Sequence, residues 1–144
     1  MTLPPVVFAD AGYYIARLSR QDAEHRRAVA WRKFIDTHRI RIVTTEAVLW
    51  EWLNFFAVKG RQAAFDGYRK LHAHSRVSIV PFDADLVSEA VEMYGKRPDQ
   101  EWGVTDCLSF VVMQHRGLVA ALTFDHLFVQ AGFTALLLQN PPSE

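Results

Sequence analysis

The chain has 144 residues, half of them apolar and 22% charged, with sixteen basic side chains balancing sixteen acidic ones. That is the length of one domain and the make-up of a globular one; it excludes wholesale disorder, and a net charge of zero argues against a protein devoted to non-specific nucleic-acid binding. No apolar run approaches the ~18 residues of a membrane span, the first ten residues lack a signal-peptide pattern, and one cysteine excludes an internal disulfide or a zinc ribbon, so a soluble cytoplasmic protein is expected.

Val6, Val7, Phe8 and Ala9 form a continuously apolar first strand, the pattern of a strand covered on both faces. A short helix over residues 12–18 follows. Asp22 can cap a second helix over 23–37, with Val29, Phe34 and Ile35 on its apolar face. Residues 39–43 read as the second strand. Thr44 or Thr45 then caps a helix running to Val58, and Gly60 ends it. Residues 61–75 read as a helix with Ala64, Phe65, Tyr68, Leu71 and His72 on one side. Residues 77–80 form a third strand closed by Pro81, and Asp83 caps a helix over 84–94. A loop over 95–103 leads to a helix over 104–115. Residues 118–122 form the fourth strand, a short helix follows Asp125, and 134–138 read as the last strand. Strands alternating with helices predict an α/β fold: one domain over residues 1–139, a mostly parallel central sheet flanked by helices on both faces, and a short polar tail over 140–144, expected to fray.

In an open parallel sheet, ligands bind beyond the carboxyl ends of the strands, where loops converge and helix N-termini point inward. Asp10 follows the first strand directly, Glu46 lies three residues past the second and Asp125 three past the fourth. Each alone reads as a first-turn acid or helix cap. Asp106 adds weight. Val104, Cys107, Leu108, Phe110, Val111, Val112 and Met113 cover nearly the whole circumference of its helix, so its carboxylate lies in a buried first turn, and a buried charge needs a cation, strong donors or a proton. Four converging carboxylates repel one another unless a cation sits between them. With oxygen ligands and no His or Cys cluster, that cation is Mg²⁺ or Mn²⁺, the choice for phosphodiester chemistry.

Charge is uneven along the chain. Residues 15–76 carry thirteen Lys/Arg against six Asp/Glu, and residues 77–144 three against nine. A basic surface beside an acidic cleft accounts for this as well as helix faces of differing sign do.

On these residues the chain resembles the PIN-domain ribonucleases, particularly the VapC-like toxins of toxin–antitoxin pairs. The resemblance runs from FADAGYYIARL, at Phe8, to TFDHLFVQAGF, ending at Phe133; its strongest part is TDCLSF followed by TFDHLF. It implies that the family's acidic quartet falls on Asp10 in VFADAGYYIA, Glu46 in VTTEAVLWE, Asp106 in VTDCLSF and Asp125 in LTFDHLF. These four are the expected catalytic residues and the ligands of Mg²⁺ or Mn²⁺, with Glu46 either a ligand or the residue that positions and deprotonates the water. The implied activity is metal-dependent cleavage of single-stranded RNA; implied partners are a small antitoxin and a second copy of the chain.

Thr105, Ser109 and Thr123 are expected to support the acids, or to make only local capping bonds. Asp99 is a weaker fifth acid, at the rim. The histidines are scattered, only His126 stands beside a site acid, and Cys107 reads as core packing. Phosphate contacts are expected from the basic segment, first from Arg17, one short helix after Asp10, then from Lys96 and Arg97 in the loop before the Asp106 helix. The helix after the second strand is apolar all round. Trp50 and Trp52 project about 200° apart on it, so at least one is expected on an intermolecular surface rather than in the core. A non-catalytic RNA-binding or scaffolding PIN-like module is the alternative, disfavoured by the complete quartet. A receiver domain or a HAD-type phosphatase does not fit: Asp10 has no acidic neighbour, and no lysine follows Lys96.

Overall fold

The computed structural model describes residues 3–143. Five parallel strands form one sheet in the order β3-β2-β1-β4-β5. They are β1 (Val6–Ala9), β2 (Arg41–Thr45), β3 (Val77–Val80), β4 (Ala120–Leu122) and β5 (Thr134–Ala135). The helices are α1 (Ala11–Leu18), α2 (His25–Thr37), α3 (Glu46–Phe55), α4 (Arg61–Ala73), α5 (Ala84–Lys96), α6 (Val104–His115) and α7 (His126–Gln130).

Side chains alternate across a strand, so each strand feeds two cores. Val7, Ala9, Ile42, Ala120 and Leu122 pack on one face with Tyr13, Tyr14, Trp31 and Trp52. Phe8, Val43 and Ala121 pack on the other with Phe110, Val112 and Phe128. Both faces are covered, which is why the central strands β1 and β4 are apolar at every position.

Several boundaries differ from the sequence reading, each for a local reason. The second helix starts at His25, because the Asp22 carboxylate accepts the Glu24 N–H at 2.8 Å and makes a turn ahead of it. Arg39 adopts φ 50°, a left-handed turn conformation, so β2 begins only at Arg41. α3 stops at Phe55, and Gly60, at φ 90°, opens α4 rather than closing α3. Gly117 turns at φ 65° and delays β4 to Ala120. β5 has two residues, and Leu136–Leu138 wind into a 3-10 turn. The start of the tail is tied down, since the Arg27 Nε donates to Asn140 Oδ1 at 3.2 Å and the Trp31 Nε1 to the Gln139 carbonyl at 2.8 Å.

Candidate functional site

Parallel register brings the ends of β1, β2 and β4 to one edge. Phe8 stands beside Val43 on one side and Ala121 on the other, so Asp10 emerges between the ends of β2 and β4. Its N–H donates to the Leu122 carbonyl at 3.1 Å. Although Asp10 precedes α1, its side chain makes no capping bond to that helix.

Thr123 is fully buried and joins two of the acids. Its hydroxyl donates to Asp10 Oδ2 at 2.9 Å and accepts the Asp125 N–H at 3.1 Å. Asp125 in turn caps α7 by accepting the Leu127 N–H at 2.9 Å. Asp106 Oδ2 accepts the Gly103 N–H at 2.9 Å, just ahead of α6. The capping role foreseen for these acids is therefore real at Asp106 and Asp125. It holds one oxygen of each carboxylate and fixes the aim of the other.

The site is electrostatically crowded. Burial raises the Asp10 pKa from 3.8 to about 7; the Thr123 hydroxyl and the Ala11 backbone oppose this, while Asp106 and Glu51 push it further up. Asp106 is also raised, chiefly by burial, against the pull of the Gly103 N–H and with repulsion from Asp125. Glu51 is raised by desolvation and then by Asp106 and Asp125. Four carboxylates thus act on one another: Asp10, Glu51, Asp106 and Asp125.

Glu46 is not among them. Its carboxylate accepts from the Tyr68 hydroxyl at 3.0 and 3.2 Å and lies 3.1 Å from His72 Nε2, so it faces α4. Glu51 takes the place expected of Glu46. Five residues separate the two, which turns them about 140° apart on a helix. The buried neighbours decide which one faces the acids. Val48 packs in the core of Phe8 and Cys107, on the side of α6, and Glu51 lies one turn after it. Leu49 packs in the core of Tyr14 and Ala64, and Glu46 lies one turn before it. Both glutamates stand in VTTEAVLWE; the pattern of apolar residues between them was the available signal.

The supporting residues divide. Thr123 organises the site, whereas Ser109 donates to the Thr105 carbonyl at 3.1 Å, a bond within α6. Asp99 is bound by Arg97, whose guanidinium lowers its pKa. His126 is exposed, and Cys107 is buried. The expected phosphate contacts are otherwise engaged. The Arg17 guanidinium lies over the Tyr13 and Tyr14 rings, at 5.2 and 5.6 Å. Lys96 pairs with Glu92 at 3.9 Å, while Arg97 lies 4.8 Å over the Trp102 ring and pairs with Asp99 at 3.2 Å.

The donor set is all oxygen, which suits Mg²⁺ or Mn²⁺. Among the described residues no three His, Cys, Asp or Glu side chains stand close enough to chelate one ion by themselves. Mg²⁺ does not require that, since it is ordinarily held by one or two carboxylates and keeps its waters. Burial first, and then the charges of Asp106 and Glu51, lift Asp10 to about 7, and a cation would relieve both penalties.

Away from the acids, α1, α2 and α4 border a groove of about 570 Å³ lined by apolar Ile40, Ile42 and Leu71 and by charged Arg17, Arg32, Lys70, Asp36 and Asp66. On α3 the two tryptophans separate as their angle demands. Trp52 is 4% exposed in the core, and Trp50 is 57% exposed, edge-on to the also exposed Phe82 at 4.9 Å. No helix among the described residues is long and apolar enough to cross a membrane.

Comparison with known proteins gives a consistent picture. A family model described as "PIN domain" matches residues 7–134. The chain is 28% identical over 129 residues to the 23S rRNA-specific endonuclease VapC20 of Mycobacterium tuberculosis, covering 89% of this chain and 95% of that protein. It is 26% identical over 129 residues to Ribonuclease VapC23 of the same organism, covering 88% and 98%. The crystal structure of VapC20, titled a Sarcin-Ricin loop cleaving toxin, superimposes with a TM-score of 0.78 at 26% identity, over 89% of this chain and 96% of that one. VapBC2 from Rickettsia felis, solved with a DNA fragment from its promoter, shares the fold at a TM-score of 0.66 and 12% identity, over 90% of this chain and 96% of that one.

Proposed function

This chain belongs to the PIN-domain family, and from that premise we propose that it is a metal-dependent endoribonuclease cleaving single-stranded RNA, acting as the toxin of a toxin–antitoxin pair. The observation that carries this reading is the meeting of four carboxylates, each from a different element, at the carboxyl edge of the sheet, with Asp10 driven to about 7. The names of the two mycobacterial relatives support the nuclease and toxin assignments.

Asp10, Asp106 and Asp125 would hold Mg²⁺ or Mn²⁺ directly or through water. Bound there, such an ion supplies Lewis-acid stabilisation of charge on the phosphate oxygens and lowers the pKa of a water. The Thr123 hydroxyl and the Gly103 N–H hold Asp10 and Asp106 in place, so both would be pre-positioned for such an ion. Glu51, raised by desolvation and by the charges of Asp106 and Asp125, would accept the proton of the attacking water.

Two surfaces suit the partners. The groove between α1, α2 and α4 is lined by apolar Ile40, Ile42 and Leu71 and by charges of both signs, with Arg17 and Lys70 beside an Arg32–Asp36 pair and Asp66. Among the described residues the Tyr14 hydroxyl, Trp52 Nε1 and Arg76 Nε in its walls lack hydrogen-bond partners, a match for an amphipathic antitoxin segment. Exposed Trp50 and Phe82 suit a homodimer contact. The assay is cleavage of an end-labelled single-stranded RNA. Activity is expected with Mg²⁺ or Mn²⁺, none in EDTA, and none in the Asp106→Asn protein. EDTA-resistant cleavage, or full activity of that variant, contradicts the reading.

A further inference from the structure

One face of α4 carries a stripe that the acid centre does not use. Phe65, Tyr68 and His72 stand at positions i, i+3 and i+7, within about 60° of one another around the helix; Arg61 falls within that arc and Arg69 widens it to roughly 100°. Phe65 is 48% exposed; Arg61, Arg69 and His72 are exposed, and Tyr68 is half-buried. The opposite face, with Gly67, Lys70 and His74, walls the groove against α1 and α2, so the stripe is separate from that groove.

The rings are held in place. The Tyr68 hydroxyl and His72 Nε2 are both directed at Glu46, and their ring centroids lie 4.5 Å apart. With the polar edges engaged, the ring surface left to solvent is a fixed apolar face. The Arg69 guanidinium lies over the Phe65 ring at 5.9 Å. Glu46 opens α3 directly after β2, and the end of β2 lies beside Asp10, so the stripe ends at the rim of the acid centre.

We infer that Phe65, Tyr68 and His72, interleaved with Arg61 and Arg69, form a track that binds the single-stranded RNA and delivers it to the acids. The inference rests on the nuclease reading above. Bases stack on the Phe65 ring and on the Tyr68–His72 pair, and the two arginines take phosphates. Stacking is indifferent to sequence because every base has a π-face, and pre-positioned rings lose little freedom on binding. The track runs about 10 Å along the helix from Phe65 to His72. Charge favours RNA over a protein partner here. Among the described residues neither arginine has an acidic partner, and cations set among stacking rings are the pattern of single-strand binding surfaces.

The test is titration of a fluorescent single-stranded RNA with the Asp106→Asn protein, which binds without cutting, and with the same protein carrying Phe65→Ala, His72→Ala or Arg69→Glu. Each ring removal is expected to weaken binding on the order of tenfold, and His72→Phe to restore it. Arg69→Glu should weaken binding and flatten its dependence on salt. With Asp106 intact, Phe65→Ala should raise KM with kcat little changed. If the parent binds RNA and the ring variants bind equally well, the track is wrong and the nuclease reading stands; if they bind RNA normally but lose a protein partner, the stripe is a protein-docking surface and the inference falls. If the Asp106→Asn parent binds no RNA, both readings fall.

Discussion

Replacing Asp10 by asparagine should make the metal-free protein more stable, and only above acidic pH. The Asp10 carboxyl has its pKa raised from 3.8 to about 7 in the folded state. Between those values the folded protein keeps a proton that the unfolded chain has lost, so stability falls as pH rises through this window. Three units at ~1.4 kcal/mol each set a ceiling of about 4 kcal/mol at pH 8. Asparagine keeps the shape, still accepts the Thr123 hydrogen bond, and carries no charge. We expect Asp10→Asn to gain about 2–4 kcal/mol over the parent at pH 8 and to match it near pH 3.5. Urea unfolding at both pH values, in EDTA, reads this directly. Added Mg²⁺ should stabilise the parent at pH 8 and leave the variant unmoved. Equal or lower stability of the variant at pH 8 would refute the claim that Asp10 is crowded and desolvated.

Thr123→Val leaves Asp10 and the Asp125 N–H without their shared hydroxyl; RNA cleavage should fall about 10- to 100-fold while the far-UV spectrum is unchanged. Trp50→Glu should convert a dimer to a folded monomer by light scattering, while Trp52→Glu should lose on the order of 3–5 kcal/mol in urea unfolding, because Trp52 is buried among Tyr14, Leu49 and Phe56. A folded, dimeric Trp50→Glu protein would remove Trp50 from the interface.

Much of the architecture was legible in the chain. A doubly covered strand shows as an unbroken apolar run, which placed β1 to the residue, and the β-branched run VSIV closed by Pro81 placed β3. Position after a strand sufficed for Asp10 and Asp125, because parallel strands must end on a common edge. It failed for the glutamate. Distance from β2 favoured Glu46, yet what matters on a helix is angle, and Val48 and Leu49 turn Glu51 toward the aspartates and Glu46 toward Tyr68. The angle argument did separate the two tryptophans, though only the structure shows which is which, with Trp50 outside and Trp52 within. The phosphate-binding cations were less legible. Lys96 and Arg97 look free in sequence and are matched in space by Glu92 and Asp99, while among the described residues Arg61 and Arg69 have no acidic partner, on a face that the sequence presents as apolar.

The most direct test is a side-by-side assay of Glu51→Gln and Glu46→Gln on single-stranded RNA with Mg²⁺. If Glu51 serves the acid centre as its base, Glu51→Gln should lower kcat by about 10²–10⁴-fold. Glu46→Gln, which alters only the contacts to Tyr68 and His72, should keep kcat within severalfold of the parent. Loss of kcat in Glu46→Gln with a fully active Glu51→Gln protein would contradict the site as assembled from Asp10, Glu51, Asp106 and Asp125.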